Sequence, residues 1–351
     1  MNFAGVAVAG LIAATAGVSV SAVLQDKPDW GRPDEFSSDY VESKAICHKL
    51  GTPVVPLADR PTPAQMLKLK GCSSEKLYYG EGVKPDYVKA RHCAFVETQG
   101  EDDQPFAGST ILMQLYANGL GVRRNPDLAT AFACHIWSAP AEYDLRITLL
   151  QGLKQKSEHI DYCDSLTSGA AAGACAALGS RIAAVNREAG LTKLVAALSP
   201  AGRQLYPAMR TAFDAFAESS AGNEVDLSGT MRGVYVTDAR DALNNQFVTD
   251  MGRLRTGKWP PAAASDAVKA DAKLNATYRA MLAWADDKNN LTTIKSPDVR
   301  NTQRLWLSYR DAFARFAAVA APSVGRDAIV TRLTRLRLAQ LDGMRSGGET
   351  E

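Results

Sequence analysis

Each of the four histidines lies close to a cysteine: Cys47-His48, His92-Cys93, Cys134-His135, and His159 shortly before Cys163. Thiolate and imidazole together are zinc chemistry. The spacing argues against it. Adjacent residues on a helix point about 100° apart and do not readily chelate one ion, and the chain has no C-x-x-C and no H-x-x-x-H. The expectation is therefore no metal, with the thiols paired to one another. Carboxylates cluster at Glu101-Asp102-Asp103 and at Glu224-Val225-Asp226. Glycoside hydrolysis needs two carboxyl groups facing across a cleft, which neighbours in sequence do not supply. Both clusters read as solvated loops. The second, with Glu224 and Asp226, is a candidate docking feature, since an acidic loop suits a basic partner. No Ser/His/Asp, phosphate-loop or dinucleotide pattern is present. The pairs Gly80-x-Gly82 and Gly119-x-Gly121 stand between helical patterns and not after strands. No catalytic residue and no cofactor is expected.

The other chemistry-bearing cluster is Gln303, Trp306 and Arg310. At a period of seven, Val299, Trp306 and Phe313 fall in one column and Thr302, Tyr309 and Phe316 in another. That pattern predicts an amphipathic helix with an aromatic stripe turned into a core. Gln303 and Arg310 run beside the stripe. The expected arrangement is a polar network, with Arg310 reaching across Trp306 to Asp271 or Asp311 and Gln303 bonded to a neighbouring helix terminus. Gln303, Trp306 and Arg310 are also the candidate binding residues of this helix.

These residues must be positioned by helices. Alanine is abundant and β-branched runs are scarce, so the chain reads as all-α, and 351 residues suffice for two or three domains. A net charge of +2 with no dense Lys/Arg block excludes an extended nucleic-acid surface. Phe3 to Leu24 carries no charge, and Val20-Ser21-Ala22 offers small residues where a signal peptidase cuts. Residues 1–22 are read as a signal peptide, with an uncleaved anchor as the rival. Cleavage would leave a periplasmic or secreted protein with no membrane segment. The even set of Cys47, Cys72, Cys93, Cys134, Cys163 and Cys175 suits an oxidising compartment. Cys163 with Cys175 is the favoured pair, being close together and far from the rest. Cys72 with Cys93 comes next, which leaves Cys47 with Cys134.

Two related segments lie in the first half. Leu77-Tyr78-Tyr79-Gly80-Glu81-Gly82-Val83 is followed by Asp86 and Ala90; Leu115-Tyr116-Ala117-Asn118-Gly119-Leu120-Gly121-Val122 is followed by Asn125 and Ala129. Glycines permit the left-handed backbone of a tight helix-to-helix turn, and Asp86 and Asn125 are cap residues for the next helix. The glycine pairs stand 39 residues apart, and the first copy reads as one residue short in its turn. These segments resemble Sel-one-like repeats, the tetratricopeptide-related helical hairpins. The resemblance implies a short partner-binding solenoid over 25–155.

From Cys163 the pattern becomes long helices, expected over 176–198, 204–218, 230–251, 266–287, 299–321 and 326–344. The last three carry Leu274-Asn275-x-x-Tyr278, then Gln303-x-x-Trp306-x-x-Tyr309-Arg310-Asp311, then Leu333-Thr334-x-x-Arg337-x-x-x-Leu341. This segment resembles the LprI-type lysozyme-inhibitor-like domain, over 266–345. Members usually carry cysteines in the helices that bear these motifs. Here Phe313, Phe316 and Ile329 are expected to hold the helices by packing. Residues 158–252 look like a degenerate first copy, with Arg210 and Ala217 where Gln303 and Arg310 would stand. The resemblance implies a non-catalytic envelope protein whose partner is a lysozyme-type muramidase or another envelope protein. The alternatives are an envelope scaffold that recruits partners through its repeats, and an enzyme acting on peptidoglycan.

Overall fold

The computed structural model describes residues 40–100, 104–153 and 158–346. The signal-peptide reading and the Glu101-Asp102-Asp103 cluster fall outside the described residues. Among those described, thirteen α-helices and two short 3-10 turns occur and no strand, so the fold is all-α. The chain divides into two compact units. One comprises residues 1–74 with 88–160, the other 75–87 with 161–351.

In the first unit, α1 (Val41–Leu50), α4 (Tyr87–Glu97), α5 (Gly108–Asn118), α6 (Pro126–Ala133) and α7 (Pro140–Gly152) surround a core that includes Ile111, Leu112, Tyr116, Phe132 and Ile147. The short α2 (Pro63–Lys68) lies on its edge with no buried residue. Disulfides join Cys47 to Cys134 and Cys72 to Cys93. Asn125 caps α6 by accepting from the Leu128 amide at 3.0 Å. Gly119 and Gly121 take positive φ of 69° and 63°.

The turn after α3 (Ser74–Tyr79) has the same backbone form, with φ of 76° at Gly80 and 72° at Gly82. Its amide of Asp86 donates to the Leu77 carbonyl, as Asn125 donates to Tyr116; Glu81 donates to Lys76, as Leu120 donates to Leu115. Every one of these groups is offset by 39 residues. The first turn is thus not one residue short. Leu77 matches Tyr116 in space, and the Leu-Tyr pairs that look alike in sequence are not equivalent positions.

The second unit is built from six long helices: α8 (Gly169–Ala196), α9 (Pro200–Asn223), α10 (Arg232–Thr256), α11 (Ala264–Ala285), α12 (Ser296–Ala320) and α13 (Arg326–Ser346). Their starts and stops follow local chemistry. Ser168 and Ser199 cap α8 and α9 by accepting the amides of Ala171 and Gly202, and Pro200 opens α9. α10 ends on Gly257 at φ 66°, with the Lys258 amide returning to the Arg253 carbonyl. Cys163 is joined to Cys175, so all three pairs are those the sequence favours.

The two three-helix sets share one arrangement. α8 packs on α10, α11 packs on α13, and the middle helices α9 and α12 pack on each other. The contacts Tyr206–Phe316, Phe213–Tyr309 and Ser219–Thr302 show α9 and α12 running antiparallel. The aromatic stripe of α12 therefore does not serve a closed three-helix core. Tyr309 stacks on Phe216 at 5.9 Å and meets Phe213 edge-on at 5.2 Å, while Phe213 stacks on Phe247 at 4.3 Å. Phe313, Phe316 and Ile329 are buried, as the packing role expected of them requires.

Candidate functional site

Glu224 ends α9, and Gln303 lies in the second turn of α12. Between them stands Arg337 of α13, fully buried. Its Nη1 and Nη2 donate to Oε2 and Oε1 of Glu224 at 2.7 and 2.5 Å, and its Nε donates to Gln303 Oε1 at 2.9 Å. The guanidinium also lies over the Phe216 ring at 5.5 Å. One cation thereby ties three helices, two from one set and one from the other. The planar fork of arginine matches a carboxylate in this two-bonded way.

Glu224 is 5% exposed, which corrects, at that residue, the reading of the Glu224-Val225-Asp226 cluster as a solvated loop. α9 runs on to Asn223, so its C-terminus carries Glu224 inward where a loop residue would have faced water. Gln303 likewise bonds a buried side chain and not a helix terminus.

Asp226 remains partly exposed and plays a different part. Its Oδ1 accepts from the amides of Ser228 at 3.1 Å and Thr293 at 3.0 Å, and its Oδ2 from the Ser228 hydroxyl at 2.7 Å. The Leu227 amide donates to Thr293 Oγ1 at 2.7 Å. These bonds staple the α9–α10 loop to the α11–α12 loop. Partial burial pushes the Asp226 carboxyl up, but the bonds from Ser228 and Thr293 together outweigh it and hold it below the usual 3.8.

Arg310 does what its spacing predicts. It lies over Trp306 at 5.2 Å, donates to Asp311 at 3.0 Å, and reaches Asp271 at 3.8 Å. Trp306 itself is buried. The structure thus brings Gln303, Glu224 and Asp226 to one end of the helical unit, with Trp306 and Arg310 along the helix from them. Sequence reasoning placed Arg337 in the motif of the last helix but not among the candidate binding residues. The available signal was its four-residue spacing from Leu333 and from Leu341, which puts a cation on the inward helix face.

Beside the buried pair, a cleft of about 480 Å³ runs between α10 and α13. Phe213, Phe216, Trp306 and Tyr309 form its floor. Glu224 and Arg337 line it, as does Asp250, whose Oδ1 accepts from Arg332 Nε at 2.7 Å. Burial pushes the Asp250 carboxyl above its usual 3.8 despite Arg332. Burial, with Asp250 nearby, also drives the Tyr309 phenol well above its usual 10. The charged groups here, Glu224, Arg337, Asp250 and Arg332, serve helix-to-helix bonding. Among the described residues, no group of three or more His, Cys, Asp and Glu could hold a metal ion, and no helix is long and apolar enough to cross a membrane.

Residues 261–341 match the family model described as lysozyme inhibitor LprI, so the C-terminus of this chain carries an LprI domain. That segment contains α11 and α12, most of α13 and the stapled loop between the first two. Comparison with curated proteins and with solved structures gives no match.

Proposed function

We propose that this chain is an exported, non-catalytic binding protein of the cell envelope whose partner is a lysozyme-type muramidase. The observation that carries the reading is the LprI match over 261–341. Three disulfides support an oxidising compartment, and a signal peptide over 1–22 would deliver the chain there. The LprI match also carries the non-catalytic part of the reading, and the fully buried cation of the site, Arg337, is bonded to a carboxylate and an amide. In this reading Gln303, Glu224 and Asp226 form the frame of the binding end, Trp306 and Arg310 stiffen the helix behind it, and no cofactor takes part. Residues 25–155 act as a Sel-one-like repeat region beside a 158–252 module and a 266–345 module.

The test is muramidase activity on peptidoglycan with and without the purified mature protein. Inhibition that persists after removal of 25–155 assigns the activity to the C-terminal helices. Unchanged muramidase rates at a large molar excess of the protein would overturn the proposal. Release of soluble fragments from peptidoglycan by the protein alone would favour an enzyme.

A further inference from the structure

The α11–α12 loop, residues 286–295, is short on burial yet dense in hydrogen bonds. Asp287 Oδ1 accepts the Asn289 amide at 2.7 Å, Asn290 Oδ1 accepts the Thr292 amide at 3.0 Å, and Lys295 Nζ donates to the Thr292 carbonyl at 3.2 Å. Ile294 is buried and anchors the loop to the core. Asp226 and Leu227 of the other helix set then clamp Thr293 from outside. Out of this fixed backbone projects Leu291, 92% exposed and more exposed than any other large apolar side chain among the described residues. Asp286, Asp287 and Lys288, on the same loop, are exposed too.

An exposed leucine on a mobile loop would carry little meaning. On a loop already held in one conformation it is an anchor presented at low entropic cost, which is how preorganised binding surfaces gain affinity. The loop also lies wholly inside the segment that matches LprI.

We infer that this loop is the contact element for the muramidase partner, with Leu291 as its apolar anchor and Asp226 as the positioning residue that holds it. The inference rests on the muramidase-binding reading of the chain. The partner surface it fits is the glycan cleft of a glycosidase, where an apolar wall would receive Leu291. The first helix set, degenerate in sequence, thereby gains a role, because its loop supplies the clamp.

The experiment measures inhibition of a lysozyme-type muramidase by the full mature chain and by the variants L291S and V268S. Val268, 69% exposed, sits near the opposite end of α11 and serves as control. The expected result is that L291S weakens inhibition by about tenfold or more, the effect of losing one interface anchor, while V268S inhibits like the unaltered chain. Inhibition should also be competitive with glycan substrate. Equal inhibition by L291S and the unaltered chain would overturn the loop assignment and leave the functional reading standing. No inhibition by any of the three would overturn both.

Discussion

At the residue level, two arginines that look alike in sequence carry different weight. Arg310 is partly exposed, sits over Trp306, and pairs with the exposed Asp271 and the half-buried Asp311. Such contacts contribute about 0–1 kcal/mol each, so losing all three in R310A should lower stability by about 1–2 kcal/mol in a denaturant titration. Arg337 is buried against Glu224 and Gln303. Removing one partner leaves an uncompensated buried charge, and E224A should cost about 3–5 kcal/mol. Replacing both, as E224M with R337M, should recover most of that loss, because apolar substitutes of similar volume are tolerated where a lone charge is not. A double variant as unstable as E224A would show that the pair does more than satisfy itself. The sequence pointed to Arg310 because it belongs to a dense, recognisable cluster. Arg337 had nothing nearby in the chain to reveal its partner, which lies 113 residues away.

At the level of helices and loops, the periodic apolar patterns placed all six long helices of the second unit to within a few residues, apart from the α8 start and the α9 and α10 ends. What they could not place was the loop chemistry. Whether Glu224 faced water depended on where α9 stopped, and an apolar pattern does not fix the last turn. The union of two loops through Asp226 and Thr293 needed the antiparallel packing of α9 on α12, which is a tertiary fact. The lowered carboxyl of Asp226 gives this union a pH dependence. A carboxylate held below its usual 3.8 contributes stability above that value, and the contribution is lost as pH falls through the lower folded value. The unaltered chain should therefore exceed D226N in stability at neutral pH, and the gap should close in acid well below pH 3.8. Paired denaturant titrations at the two pH values check this; a gap of constant size would rule out the carboxylate's role. Gly169, at the start of α8, is a second point of constraint. A Cβ there would lie 2.3 Å from the Thr230 carbonyl carbon, against backbone that has no rotamer to yield. G169A should cost about 1–3 kcal/mol, as overpacking does, in the same titration.

At the scale of the whole molecule, the question is what counts as the folding unit. The LprI match covers three helices, and the sequence pattern marks them as a module of their own. Packing gives another answer. The stripe of α12 meets Phe213 and Phe216 of α9, and Arg337 of α13 finds its carboxylate at the end of α9. Cutting the chain between the helix sets would expose Tyr309 and Phe316 and leave Arg337 buried without its partner. A fragment spanning 261–346 should therefore fail to reach a rigid monomeric state. The antiparallel pairing of α9 with α12 suggests its escape route: α12 of one fragment can pack on α12 of another, because the two middle helices present related apolar faces. The expected outcome is weak near-UV circular dichroism at low concentration and a dimer at high concentration in analytical ultracentrifugation. A fragment spanning 158–346 should instead give full near-UV signal as a monomer. If the shorter fragment were monomeric and rigid, the aromatic contacts between the helix sets would be docking contacts between finished domains. The case for one shared core would then be lost.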